Sequence, residues 1–233
     1  MNAKEFLQEI LTLPRTKFEN SNLAGSSLPY LSSKLAAMKA LIQRAAADGE
    51  LDIEGLYPFP NVEAGIAYFA IGVKRRSSFQ QQMDFLADNG HKADSWTMTD
   101  TVTQFLRKVP FAEFKPYFKR MIQAKDVYTI RFAYVIALSF LDGAKARHHF
   151  LTHIKRDDRY YVMMSEAWLL ATIAVSDFAA VKQALAAGRF TMRCSQKAIS
   201  KMIDSYRISP EQKAELRALR EKLKQKAISA ETV

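Results

Sequence analysis

The stretch VYTIRFAYVIALSFL, residues 127–141, contains the longest apolar run of the chain, FAYVIALSFL (132–141). Wound as a helix, ten residues rise about 15 Å, half the hydrocarbon thickness of a bilayer. The run is therefore too short to span a membrane and reads as a helix of a folded core.

Helical periodicity recurs almost everywhere on either side of this run. KEFLQEIL opens the chain, and a looser segment with Pro14, Gly25 and Pro29 follows. YLSSKLAAMKALIQRAAA (30–47) predicts a long helix stopped by Asp48-Gly49, and DIEGLYPFP reads as a linker. Asn61 is placed to cap VEAGIAYFAIGVKR. SFQQQMDFLADNG ends at Gly90, where a left-handed C-terminal cap is expected. SWTMTDTVTQFLRK comes next, and Pro110 opens FAEFKPYFKRMIQA. Beyond the opening stretch lie ARHHFLTHIKR and RYYVMMSEAWLLATIAV, then DFAAVKQALAA, with Ser176 as its expected cap and Gly188 as its end. SPEQ (209–212) is a capping box with proline at the first helical position, and its helix runs on through AELRALREKLKQK. The pattern predicts an all-α chain.

Eight glycines and seven prolines in 233 residues argue against a turn-rich β fold. No proline- or serine-rich linker divides the chain, so residues 1–233 are expected to form a single domain. Trp96 to Arg131 is 35 positions and Arg131 to Trp168 is 37. Helix-pair repeats of the HEAT and armadillo type recur at about 40–47 residues, slightly longer than these intervals. Periodicity and spacing give an all-α chain and leave open a helical-repeat superhelix (an α-solenoid), whose concave face the charge would make basic.

With 34 Lys and Arg against 24 Asp and Glu, the formal charge is +10, which favours an anionic partner such as nucleic acid. A single cysteine, Cys194, excludes an internal disulfide and a CxxC zinc site. MNAKEFLQEILTL lacks the basic region and apolar run of a signal peptide, so a cytoplasmic protein is expected.

Phosphate-loop and dinucleotide fingerprints are absent. His149 and His153 share a helical face but lack an evident third ligand, so no metal site is expected. The basic clusters VKRRSS (73–78), IKRDDR (154–159) and EKLKQK (221–226) read first as solvated faces. In DSWTMTD (94–100), Trp96 and Asp100 stand four residues apart, which puts an indole and a carboxylate on one helical face. Residue by residue, either Trp96 or Trp168 reads as core, and Asp100 with Arg131 as surface charges or a structural salt bridge.

Four pieces carry a resemblance: SWTMTDTV (95–102), VYTIRFAYVIAL (127–138), DDRYYVMMSEAWLLA (157–171) and QKAISKMIDSYRIS (196–209). In this order and spacing the chain resembles the AlkD-like family of DNA alkylation repair proteins, which are HEAT-like superhelices. The likeness covers roughly residues 60–220 and is greatest to the family's smaller bacterial branch. It implies a DNA glycosylase that hydrolyses the N-glycosidic bond of cationic alkylated purines, N3-alkyladenine or N7-alkylguanine. It implies Trp96, Asp100, Arg131 and Trp168 as the catalytic set, and DNA contacts from Arg131, Lys197, Lys201 and Arg207. Double-stranded DNA containing alkylated bases is the implied partner; no cofactor is required, and a monomer suffices. The alternatives are a non-catalytic scaffold of the same fold that recognises damaged or unusual DNA, and a helical-repeat module that grips a protein.

Overall fold

The computed structural model describes residues 1–17 and 25–231, with side chains described to residue 226. The looser segment after the first helix falls partly on residues 18–24, outside the described residues. Twelve α-helices and no strand occur among the described residues, together with an isolated antiparallel bridge between Arg15 and Ser33. The chain divides into two compact units, Met1–Tyr117 with Ala124–Phe132, and Phe118–Gln123 with Ala133–Val233.

The first unit contains α1 (Ala3–Thr12), α2 (Leu35–Ala47), α3 (Val62–Lys74), α4 (Phe79–Asn89) and α5 (Trp96–Val102). The division falls within α6 (Phe111–Met121) and α7 (Val127–Ala137). The core of the first unit is α3, in which every residue from Val62 to Val73 is buried. A helix buried on all sides has no solvent face to offer, so its neighbours must surround it. Asn61 caps α3 as expected, accepting from Ala64 N at 2.9 Å. Gly65 lies where α5 meets α3: a Cβ there would stand 2.3 Å from the Met98 methyl carbon. Its missing side chain lets α5, the helix carrying Trp96 and Asp100, pack closely.

The second unit contains α8 (Ala144–His153), α9 (Tyr160–Ile173), α10 (Phe178–Ala186), α11 (Met192–Asp204) and α12 (Pro210–Glu231). Helix α9 packs chiefly on α11. The capping box at Ser209 forms in both directions, with Gln212 N donating to Ser209 Oγ at 3.2 Å and Ser209 N to Gln212 Oε1 at 3.1 Å. Gly188 follows the end of α10, as expected, and takes the left-handed conformation, with φ +68°.

Three local expectations are corrected. Residues 30–34 are not helical, because their backbone donors are used elsewhere. Leu31 N and Ser33 N each donate to the buried Glu63 carboxylate at 3.1 Å, and Lys34 N donates to Pro14 O at 2.8 Å. Gly90 has φ −55° and lies in a 3₁₀ turn rather than a left-handed cap. It is glycine for space: a Cβ would meet Thr129 Oγ1 at 2.2 Å and Thr129 Cα at 2.9 Å. The cap position of α10 is Asp177, not Ser176, and the Asp177 carboxylate is paired with Arg147.

Candidate active site

Helix α5 opens at Ser95, whose buried hydroxyl accepts from Met98 N at 3.2 Å. Residues Trp96 and Asp100 then fall on one face, as the four-residue spacing requires. Trp96 is 36% exposed, while the Asp100 side chain is 17% exposed. The space beneath Asp100 is filled by Arg131 of α7, whose side chain is 7% exposed. Arg131 Nε donates to Asp100 Oδ1 at 2.9 Å and Nη2 donates to Oδ2 at 2.8 Å. This two-pronged bond fixes the plane as well as the position of the carboxylate.

Thr99 completes the arrangement, and sequence reasoning missed it. Fully buried, it accepts from Arg131 Nε at 3.1 Å and lies 2.9 Å from Trp96 O and 3.0 Å from Asp100 Oδ1. Its single hydroxyl hydrogen can go to either oxygen, so Thr99 links the turn carrying the indole to the ion pair. The available signal was a threonine three residues after Trp96, a position from which a hydroxyl bonds back to its own helix.

The start of α5 is held from outside as well. Asp94 accepts from Ser26 Oγ, from Ser27 N at 3.0 Å and from Ser27 Oγ at 3.2 Å. Tyr128 of α7 donates its hydroxyl to Asp94 O at 2.7 Å. These bonds tie the chain ahead of α2, the start of α5 and the start of α7 into one piece of the first unit.

Trp168 lies in the second unit, on α9, and is 38% exposed. Lys197 and Lys201 lie on α11, and Arg207 is exposed in the turn that follows it. Other sequence candidates have structural roles. Arg75 donates to Leu51 O at 2.6 Å and to Ala45 O at 2.9 Å, and Arg76 stacks 3.8 Å over the Phe85 ring. The two central arginines of VKRRSS are therefore partly buried connectors, not solvated charges. His149 stacks on His153 with ring centroids 4.1 Å apart. No group of three or more His, Cys, Asp or Glu among the described residues could hold a metal ion. Cys194 is buried on α11, and burial raises its thiol well above the usual range, which makes it a poor nucleophile.

The second unit also buries a carboxyl. Glu166 of α9 is fully buried and accepts from the Tyr134 hydroxyl at 3.1 Å. Burial, with the charges of Asp157 and Asp158 adding, pushes its pKa up to about 8, against the opposing hydrogen bonds of Tyr134 and Cys194.

An all-helical chain with a bidentate carboxylate–guanidinium pair beside an exposed indole has the parts of a site for a cationic ligand. The family model described as DNA alkylation repair enzyme matches residues 14–203, so this chain belongs to that family. Its role is thus in DNA alkylation repair, and the match begins well before residue 60. No curated protein and no solved structure matches the chain. No helix among the described residues is long and apolar enough to cross a membrane.

Proposed function

We propose that the protein is a monofunctional DNA glycosylase that releases cationic alkylated purines, N3-alkyladenine and N7-alkylguanine, from duplex DNA. The observation that carries this reading is the Asp100 carboxylate, oriented by Arg131 and Thr99 on the helix face that also presents Trp96. Alkylation of a ring nitrogen makes the base a cation and hence a good leaving group without a general acid. As the glycosidic bond breaks, positive charge develops on the deoxyribose. Asp100 stabilises that charge and orients the attacking water. At an effective dielectric near 20, opposite charges about 4 Å apart attract by roughly 4 kcal/mol, close to a thousandfold in rate. Trp96 meets the cationic nucleotide through a cation–π contact of about 0.5–2 kcal/mol, and the resemblance gives Trp168 a like role. Arg131 acts through Asp100, and Lys197, Lys201 and Arg207 meet the DNA backbone.

The same reading takes the helices as one HEAT-like superhelical domain with a basic concave face, acting as a cytoplasmic monomer. The unbroken family match over 14–203 supports a single domain, since it runs through both units. A non-catalytic DNA-binding scaffold is the second reading. It is favoured by the Asp100–Arg131 pair itself, since a carboxylate engaged on both oxygens also serves a purely structural purpose. Release of 7-methylguanine from N-methylated duplex DNA separates the two. In Asp100→Asn, base release is expected to fall by two to three orders of magnitude while DNA affinity stays within about twofold. Equal release by wild type and variant would leave the scaffold as the better reading.

A further inference from the structure

Within the second unit, two stripes of unlike chemistry run beside each other. On α9, Tyr160, Met164 and Trp168 recur every four residues and so share one face. Tyr160 is 55% exposed and Trp168 is 38% exposed, which is unusual for large aromatic residues on a helix otherwise almost wholly buried. On α11, Arg193, Lys197 and Lys201 recur at the same interval, with Arg193 and Lys197 exposed. Where the two helices pack there is an open cleft of about 320 Å³, lined by Tyr160, Met164, Arg193, Gln196, Lys197 and Ser200 among others. The ring of Tyr161 supports Tyr160 edge-on at 5.1 Å. Arg193 is steadied by donating to Asp158 O at 3.3 Å. The nearby Asp157 is neutralised by Arg159 at 2.6 Å, and Asp158 stands exposed beside them.

Four helical residues rise about 6 Å, comparable to the spacing of adjacent phosphates along one strand. An aromatic platform beside a line of cations is the surface by which proteins hold single-stranded nucleic acid, because every base has a stacking face and every phosphate a charge. We infer that the α9–α11 cleft is a strand-binding track: Arg193 and Lys197 contact successive phosphates of one DNA strand, and a base next to them stacks on Tyr160. The inference rests on DNA as the substrate and extends that reading. It adds Tyr160, Met164 and Arg193 to the binding surface and runs the strand along α9 from Trp168 towards Tyr160.

The test uses the full chain and a fluorescein-labelled DNA duplex carrying a tetrahydrofuran abasic analogue, followed by anisotropy, with 7-methylguanine release measured in parallel. Lys197→Ala and Arg193→Gln are each expected to weaken binding and to lower the salt dependence by about one phosphate contact. Tyr160→Ala is expected to weaken binding roughly tenfold, while Tyr160→Phe, which keeps the ring, binds as wild type. Both alanine variants replace exposed side chains, and unchanged circular dichroism confirms their folding. Wild-type binding and release by Tyr160→Ala and Lys197→Ala would overturn the track and leave the glycosylase reading standing. Weakened binding by those variants, with no base release from wild type, would support the track and remove the chemistry. Equally tight binding of an RNA strand of the same sequence would overturn the assignment to DNA.

Discussion

At the scale of single residues, the ionisable side chains that shape this protein are mostly those with buried partners. Asp100 is held on both oxygens, Glu63 accepts two backbone N–H groups, and Glu166 is enclosed outright. Glu166 has a pH signature with a definite sign. Its carboxyl stays protonated in the folded protein up to about pH 8, whereas in the unfolded chain it ionises near its ordinary 4.5. Between those values the folded state holds a proton that the unfolded chain has released. Stability from this group is therefore full below pH 4.5 and declines as pH rises towards 8, with a limiting slope of about 1.4 kcal/mol per pH unit. Glu166→Gln is expected to flatten that decline and to be more stable than wild type at pH 8, on the order of 2–4 kcal/mol. Urea denaturation from pH 5 to 8.5 checks this, and parallel pH profiles for the two proteins would contradict it.

At the scale of elements, close approach matters more than helix propensity. The turn from α4 into α5 fits against α7 because Gly90 has no side chain where Thr129 stands. Two residues beyond Thr129 is Arg131, so this contact sets the depth at which the guanidinium meets Asp100. Gly90→Ala is expected to cost about 1–3 kcal/mol, because the added methyl meets backbone and not only a movable side-chain tip. Gly49→Ala, with nothing within 4 Å of its added carbon, is the control and is expected to be neutral or slightly stabilising. Equal denaturation midpoints for the two variants would refute the packing account. The segment 30–34 teaches the same lesson: a helical pattern loses to a buried carboxylate that takes its backbone donors.

At the scale of the whole molecule, the acids are largely consumed in internal bonds. Glu9 pairs with Arg44, Glu54 with Lys92 at 2.7 Å, Asp177 with Arg147, and Asp94 holds Ser26 and Ser27. The net charge of +10 leaves cations in excess of acids. DNA affinity is accordingly expected to fall linearly in log–log form with salt, with a slope of about −0.9 per phosphate neutralised. A binding isotherm indifferent to salt between 50 and 200 mM would rule out backbone contacts as the source of affinity.

The sequence by itself determined the helices, because their signals act within four residues. The apolar period, the Asn61 cap, the Ser209 box and the left-handed Gly188 all satisfy hydrogen bonds or sterics inside one turn. It likewise put Trp96 and Asp100 on one face, and the family motifs were legible as short strings in order. Tertiary structure decided that Arg131, 31 positions from Asp100, lies under the carboxylate and not in solvent. It also decided that Thr99 joins the pair, that Arg75 and Arg76 are connectors, and that Gly90 serves space instead of a cap. The physical reason is common to all four. A charge or a missing side chain acquires its meaning from what packs against it, and that neighbour is chosen by burial over tens of residues, not by local period.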